Sequence, residues 1–295
     1  MINKIKDLLQ KFAGIIIQPA FRKWTRPLSR QNQLLLSLRY KELAELHNKS
    51  LDLDTIGFDE YSESGEDGTL LYIFSIIGTT NRKFVDIGAG GIKGSNTANL
   101  ILNHNFTGIL IDGSEKSIES ARAFFKFQQA ASGLTMLSQF VTAENINELI
   151  RQNGIKGEID LLCIDIDGID YWVLKAIDSI EPRVIVLEYQ DILGPDRAWT
   201  VPYKKDFDVH SYSVNRDSNN YCGASLLAFT KLCNARGYRL VGCNRTGWNA
   251  FFVKKGLGEN FLPEVSVDSC FETDWNRFGM EKRFPLVKDM AWEEV

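Results

Sequence analysis

From residue 57 to residue 255 short apolar runs alternate with segments whose apolar residues recur every three or four positions. The runs KFVDIG, TGILIDG, SQFVTA, IDLLCIDID and RVIVLEYQ predict strands. They are apolar along their length, as burial on both faces of a parallel sheet requires. Between them GEDGTLLYIFSIIG, NTANLILNH, SIESARAFFKFQQA, NINELIRQ and YWVLKAI predict helices. Strands that alternate with helices imply a parallel sheet covered on both sides. The end of the series departs from this pattern. Helix GASLLAFTKLCNARG is followed by YRLVGC, the turn NRTG and WNAFFVKK, which read as an antiparallel hairpin. The predicted fold is α/β, a doubly wound, mostly parallel seven-stranded sheet with a C-terminal antiparallel hairpin, plus N-terminal helices.

The first 56 residues carry a different pattern. In INKIKDLLQKFAGIII the residues Ile2, Ile5, Leu8, Leu9, Phe12 and Ile16 fall at helical spacing with lysines between them. Pro19 interrupts this helix, and a second one, RQNQLLLSLRYKELAEL, is expected after Pro27. The expected organisation is therefore a basic helical segment at 1–56, a catalytic domain at 57–256 and a C-terminal extension at 257–295. Residues 1–50 hold ten Lys/Arg against three Asp/Glu, which leaves a balance of −11 on the remainder. A basic segment on an acidic body fits a solvated helix face, a peripheral membrane contact at the inner membrane or a contact between copies. No apolar run reaches the ~20 residues of a membrane span. The five cysteines form no CxxC pair, so neither a zinc site nor a disulfide framework is indicated, and a cytoplasmic protein is expected. The acidic body, and a basic stretch without interleaved aromatics, argue against nucleic-acid binding.

The candidate chemistry begins at FVDIGAGGIKG, residues 84–94. Its glycines, Gly88, Gly90, Gly91 and Gly94, miss the G-x-G-x-x-G spacing of a dinucleotide site. Asp86, two residues before the first glycine, would repel a pyrophosphate and attract an ammonium or sulfonium. Asp112 ends GILID, 24 residues after Gly88, where a carboxylate can accept hydrogen bonds from ribose hydroxyls. A structural alternative is that both acids cap the helices that follow them.

SGEDGTL, FVDIGAG, GILIDGS and CIDIDGIDYWVLKAI together resemble the FkbM-type methyltransferase family over about residues 57–255. The resemblance implies a class I fold that uses S-adenosylmethionine, with sugars, polysaccharide precursors or other hydroxylated compounds as acceptors. The sequence departs from the family at Cys163, where a Lys is usual, and at Asp167 and Asp170, where Glu is usual. The cofactor set expected on this basis is Glu66, Asp86, Gly88, Gly90, Asp112, Ser114, Glu144 and Asp165. Glu66 and its neighbour Asp67 could equally cap the helix they open.

Alignment supplies most of the rate of a methyl transfer, but a hydroxyl nucleophile also calls for a base or a metal. Asp165 and Asp167 share one face at the end of their strand, and Glu188 ends the next one. These three, with Asp191, could hold Mg²⁺, or one of them could act directly as the base. His210 is a second candidate base. The long stretch 191–222 places Tyr203, Tyr212, Arg216 and Tyr221 where they could contact a sugar. The alternatives are an NAD-dependent oxidoreductase and a non-catalytic methyltransferase-fold module of a polysaccharide assembly. No Tyr-x-x-x-Lys pair supports the oxidoreductase.

Overall fold

A computed structural model describes residues 18–47, 50–92, 94–212 and 220–295. The helix predicted over residues 2–16 and the candidate contact Arg216 lie outside the described residues. The series runs α1 (Gln18–His47), α2 (Leu53–Ile56), α3 (Glu66–Ile77), β1 (Lys83–Ile87), α4 (Ala98–His104), β2 (Thr107–Asp112) and α5 (Glu115–Phe127). It continues through β3 (Leu134–Ser138), α6 (Ile146–Gln152), β4 (Gly157–Ile164), α7 (Asp170–Ala176) and β5 (Ile180–Glu188). The short β6 (Trp199–Thr200), α8 (Leu226–Ala235), β7 (Tyr238–Cys243), β8 (Asn249–Lys254), α9 (Asp274–Phe278) and β9 (Glu293–Glu294) complete it.

Seven strands form one sheet in the order β3-β2-β1-β4-β5-β8-β7. β1 to β5 pair in parallel, and β8 runs antiparallel to both β5 and β7. This is the predicted sheet with its reversed hairpin. Alternate residues of each strand serve opposite faces. Val85, Ile87, Leu162 and Ile164 pack with α6, α7 and α8 through Ile150, Val173 and Phe229. Phe84, Leu161 and Cys163 pack with α3, α4 and α5 through Leu70, Ile73, Leu100 and Ile118. Burial on both faces explains why these strands lack polar alternation in sequence.

Two local expectations change. The third strand is Leu134–Ser138 rather than SQFVTA, because its register on β2 runs from Gly108↔Leu134 to Asp112↔Ser138. Residues 139–143 then leave the sheet as a loop. Secondly, Pro27 does not precede a helix but lies inside α1. A mid-helix proline costs about 3 kcal/mol, and tertiary contacts on both sides of it offset that cost. Lys23 Nζ and Arg26 donate to the carbonyls of Phe127 and Gln128 at 2.9 and 2.8 Å, at the end of α5. Further along, the buried Gln33 exchanges two 3.0 Å hydrogen bonds with Asn99 of α4.

The chain beyond β8 returns to the body. β9 pairs with β6, Val295 N donates to Ala198 O at 2.9 Å, and the Tyr221 hydroxyl donates to Ala291 O at 2.6 Å. Among the described residues no helix is long and apolar enough to cross a membrane.

Candidate active site

Parallel strands direct their C-termini to one edge of the sheet, and the predicted residues gather there. β1 ends in the glycine turn. Gly88 has φ +86°, and a β-carbon on it would lie 1.5 Å from the carbonyl oxygen of Asp165. Only glycine lets β1 and β4 close at this point, where Asp165 N also donates to Ile87 O at 2.9 Å. The next turn residues are fixed by Asp112, whose two carboxylate oxygens accept from Gly90 N at 2.7 Å and Ser114 N at 2.6 Å. Ser114 itself caps α5, its hydroxyl accepting from Ser117 N. Asp86 is buried beneath the turn and accepts from the Thr97 hydroxyl at 2.5 Å, at the start of α4. Burial raises its carboxyl to about 6. The acids expected to meet a ligand thus also build the loop that would hold it. Phe140, absent from the sequence-based set, is strongly exposed and lies against Gly113, beside Asp112.

Glu66 and Glu144 are placed differently. Glu66 is buried; it accepts from Ser64 N and from the side-chain amides of Asn244 and Asn249, which ties the start of α3 to the β7–β8 hairpin. Asp67 accepts from the amides of Glu60, Tyr61 and Ser62. Glu144 is exposed and accepts the Tyr203 hydroxyl at 2.6 Å, which lowers its pKa.

The acidic cluster follows β4 and β5. Asp170 accepts from Ile166 N and Gly168 N, both at 2.9 Å, and so closes the turn after β4. That turn holds Asp167 in the left-handed region at φ +51°, a conformation Asp tolerates better than most residues. Asp165 and Glu188 meet through their side chains at the floor of the cleft. Burial pushes Asp165 up to about 7, and burial together with the charge of Asp165 raises Glu188 well above the carboxylate range. Two carboxyls buried side by side cannot both ionise readily, and Asp165 opposes the ionisation of Glu188. Asp167 stands apart from this pair. Burial raises its pKa while His210 opposes the rise, and its Oδ1 lies 4.0 Å from Cys222 Sγ. His210 is exposed on a 3₁₀ turn, Val209–Tyr212. Among the described residues no group of three or more His, Cys, Asp or Glu side chains is arranged to hold a metal ion.

A cleft of about 220 Å³ opens beside the pair, lined by Asp167, Asp170 and Glu188 and by residues the sequence analysis did not single out. Trp248 lies at the start of β8, and Trp275 meets it edge-on from α9 at 5.8 Å. The Arg283 guanidinium lies 4.6 Å from the Trp275 ring centre and pairs with Asp191. Gly279 makes room for this: a β-carbon there would come within 2.6 Å of Arg283 Nη2 and 2.8 Å of Asp191 Oδ2. Burial raises Asp191 to about 6, with Arg283 opposing the rise. Arg283 Nε and Asn220 Nδ2 are buried donors without an acceptor. By contrast the predicted sugar contacts Tyr212 and Tyr221 pack on each other at 5.1 Å, and Tyr221 packs on Trp292 at 4.8 Å. Tyr203 leans on Trp172.

S-adenosylmethionine fits the residues present: a turn with open space over Gly91 and no close neighbour over Gly90, two acids at adjacent strand ends, and no cation in the turn's described residues to receive a pyrophosphate. Lys93 falls outside that description.

Comparison with known proteins accords with this geometry. The family described as Methyltransferase FkbM domain matches residues 76–239, more than half of the chain. No curated protein matches the sequence. Among solved structures, the O-methyltransferase from Bacillus cereus, in complex with SAH, is 16% identical, with 86% of this chain and 100% of that chain covered and a TM-score of 0.42. The O-methyltransferase TomG from Streptomyces achromogenes is 15% identical, over 67% of this chain and 83% of its own, with a TM-score of 0.42. A SAM-dependent methyltransferase from Thiobacillus denitrificans is 15% identical, over 62% and 67%, with a TM-score of 0.38. With the FkbM domain running from before β1 to the start of β7 and the glycine turn in its place, the chain belongs to the FkbM methyltransferase family, S-adenosylmethionine-dependent enzymes of the class I fold.

Proposed function

We propose that the protein methylates a hydroxyl oxygen of a carbohydrate-class acceptor seated in the Trp275 cleft. The observation that carries this reading is the cleft's make-up. An indole, an Arg–Asp pair and two buried donors without partners among the described residues adjoin the buried Asp165–Glu188 carboxyls. Sugars present apolar C–H faces to aromatic rings and hydroxyls to such donors, and a buried unpaired donor is costly until an acceptor reaches it.

Gly88, Gly90, Asp86 and Asp112 would hold S-adenosylmethionine, with Phe140 as an apolar wall beside Asp112. Bound there, it supplies an electrophilic methyl group. Asp165 stands between the turn and Glu188, and Glu188 faces the cleft. With Asp165 ionised, Glu188 can take the acceptor's hydroxyl proton as its own proton passes to Asp165. Desolvation strengthens it as a base. The charge of Asp167, held at φ +51°, opposes ionisation of the pair, and His210 acts on Asp167. Arg283 and Asn220 position the acceptor, and Asp191 fixes Arg283.

In this reading the carboxyl pair acts without Mg²⁺. Glu188→Gln should lower kcat by about 10²–10⁴ while affinity for S-adenosylhomocysteine is kept. Activity of the wild type should rise with pH through about 7, as Asp165 loses its proton, and EDTA should leave turnover unchanged. Turnover abolished by chelation and restored by Mg²⁺ would replace the base with a metal. Equal rates for wild type and Glu188→Gln would remove the pair from the chemistry.

A further inference from the structure

Helix α1 carries two apolar faces, and among the described residues only one of them is covered. Gln33, Tyr40 and Ala44 are buried against α3 and α4. On the opposite side Phe21, Trp24, Leu28, Leu35 and Leu38 are 58–88 % exposed. Their spacing of three, four, seven and three residues, with Gln31 in the gap, is a repeat of seven in which alternate steps of three and four recur. A 3.5-residue period keeps a narrow seam in line along a helix, and such a seam is what a second helix packs into.

We infer that this seam is the interface of a homodimer in which α1 of two copies packs antiparallel. A two-fold axis between Leu28 and Gln31 sets Phe21 opposite Leu38 of the second copy, Trp24 opposite its Leu35 and Leu28 opposite its Gln31. Every exposed large side chain of the seam then meets an apolar one, except at the two Gln31 layers. Arg22, Lys23 and Arg26 turn to the protein's own body, over Tyr61 and the end of α5, so the seam positions themselves carry no charge. With two aromatic side chains of roughly 150–250 Å² each and three leucines, all 58–88 % exposed, the seam offers up to about 700 Å² per copy, close to the ~800 Å² per partner of a stable interface.

A lipid surface fits less well. An interfacial helix needs a broad apolar face and cations free to reach headgroups. Here four of the six cations of α1 are engaged within the chain. Lys23 and Arg26 donate to carbonyls of Phe127 and Gln128, Arg22 lies over the Tyr61 ring at 4.5 Å, and Arg39 pairs with Glu42 at 2.6 Å. No residue of α1 lines the acceptor cleft.

Sedimentation equilibrium of the full chain, with phosphatidylglycerol vesicles in a parallel pelleting assay, tests the inference. The wild type should sediment at twice 33.4 kDa at tens of micromolar. Leu28→Glu with Leu35→Glu should return it to the monomer with its circular dichroism and S-adenosylhomocysteine affinity unchanged. Gln31→Leu, which adds an apolar side chain to two layers, should tighten the dimer by about tenfold or more. Three results would overturn it. These are a monomeric wild type that pellets with vesicles instead, a dimer that survives the double substitution, or a dissociation constant unmoved by Gln31→Leu.

Discussion

Replacing Gly88 by alanine perturbs the point where the fold and the site depend on the same atom. The added β-carbon would lie 1.5 Å from the Asp165 carbonyl oxygen, 2.4 Å from its carbon and 3.1 Å from Ile166 Cγ2. Two of these are backbone atoms of β4's exit and cannot swing aside. The left-handed conformation at φ +86° adds about 1–2 kcal/mol for a residue with a β-carbon. Forcing backbone apart in a packed interior adds about 1–3 kcal/mol more. The sum, roughly 2–5 kcal/mol, is a large part of the ~5–15 kcal/mol that holds a domain together. Gly91 supplies the control three residues on, because nothing lies within 4 Å of its β-position. Urea unfolding of both variants, followed by circular dichroism, should therefore separate them by at least about 1.5 kcal/mol. Gly88→Ala should also weaken S-adenosylhomocysteine binding, since Asp165 and the turn shift together. Two variants within about 0.5 kcal/mol of each other would refute the steric account of the turn.

Two further outcomes follow from the site. Burial raises the Asp86 carboxyl to about 6, so the folded state holds this proton more tightly than the unfolded chain. Its contribution is present below about 4 and is lost as pH rises through about 6. Without ligand, Asp86→Asn should therefore gain on the wild type by up to about 3 kcal/mol between pH 4 and 7, and parallel stability curves would contradict the assignment. Trp275→Ala should raise KM for a carbohydrate acceptor about tenfold or more with little change in affinity for S-adenosylhomocysteine; an unchanged KM would place the acceptor elsewhere.

The sheet was legible because its strands are buried on both faces, which writes uninterrupted apolar runs such as IDLLCI into the chain. The strand-end acids were legible for the same reason: Asp86, Asp112, Asp165 and Glu188 are charges that close apolar runs. What they do was less so. Asp86 and Asp112 each bond to their own loop, a use that depends on where Thr97 and Gly90 fold back. Beyond Asp167, Glu188 and Asp191 the cleft was not legible. Asn220, Trp248, Trp275 and Arg283 come from separate segments, and nothing in their local pattern distinguishes Trp275 from the other tryptophans. Gly279 next to the Arg283 pair is a signal only once Asp191 is known to lie beside it. Pro27 misled because its local cost is outweighed by contacts of α1 with α4 and α5 far away in sequence.

The central claim is that the glycine turn with Asp112 holds S-adenosylmethionine rather than a dinucleotide. Isothermal titration calorimetry with S-adenosylhomocysteine and, separately, with NAD tests it most directly. The account predicts a micromolar dissociation constant for S-adenosylhomocysteine, about −8 kcal/mol, no measurable binding of NAD, and at least about tenfold weaker S-adenosylhomocysteine binding in Asp112→Ala as charge-assisted hydrogen bonds are lost. Saturable binding of NAD without S-adenosylhomocysteine, or an affinity untouched by Asp112→Ala in a folded protein, would contradict it.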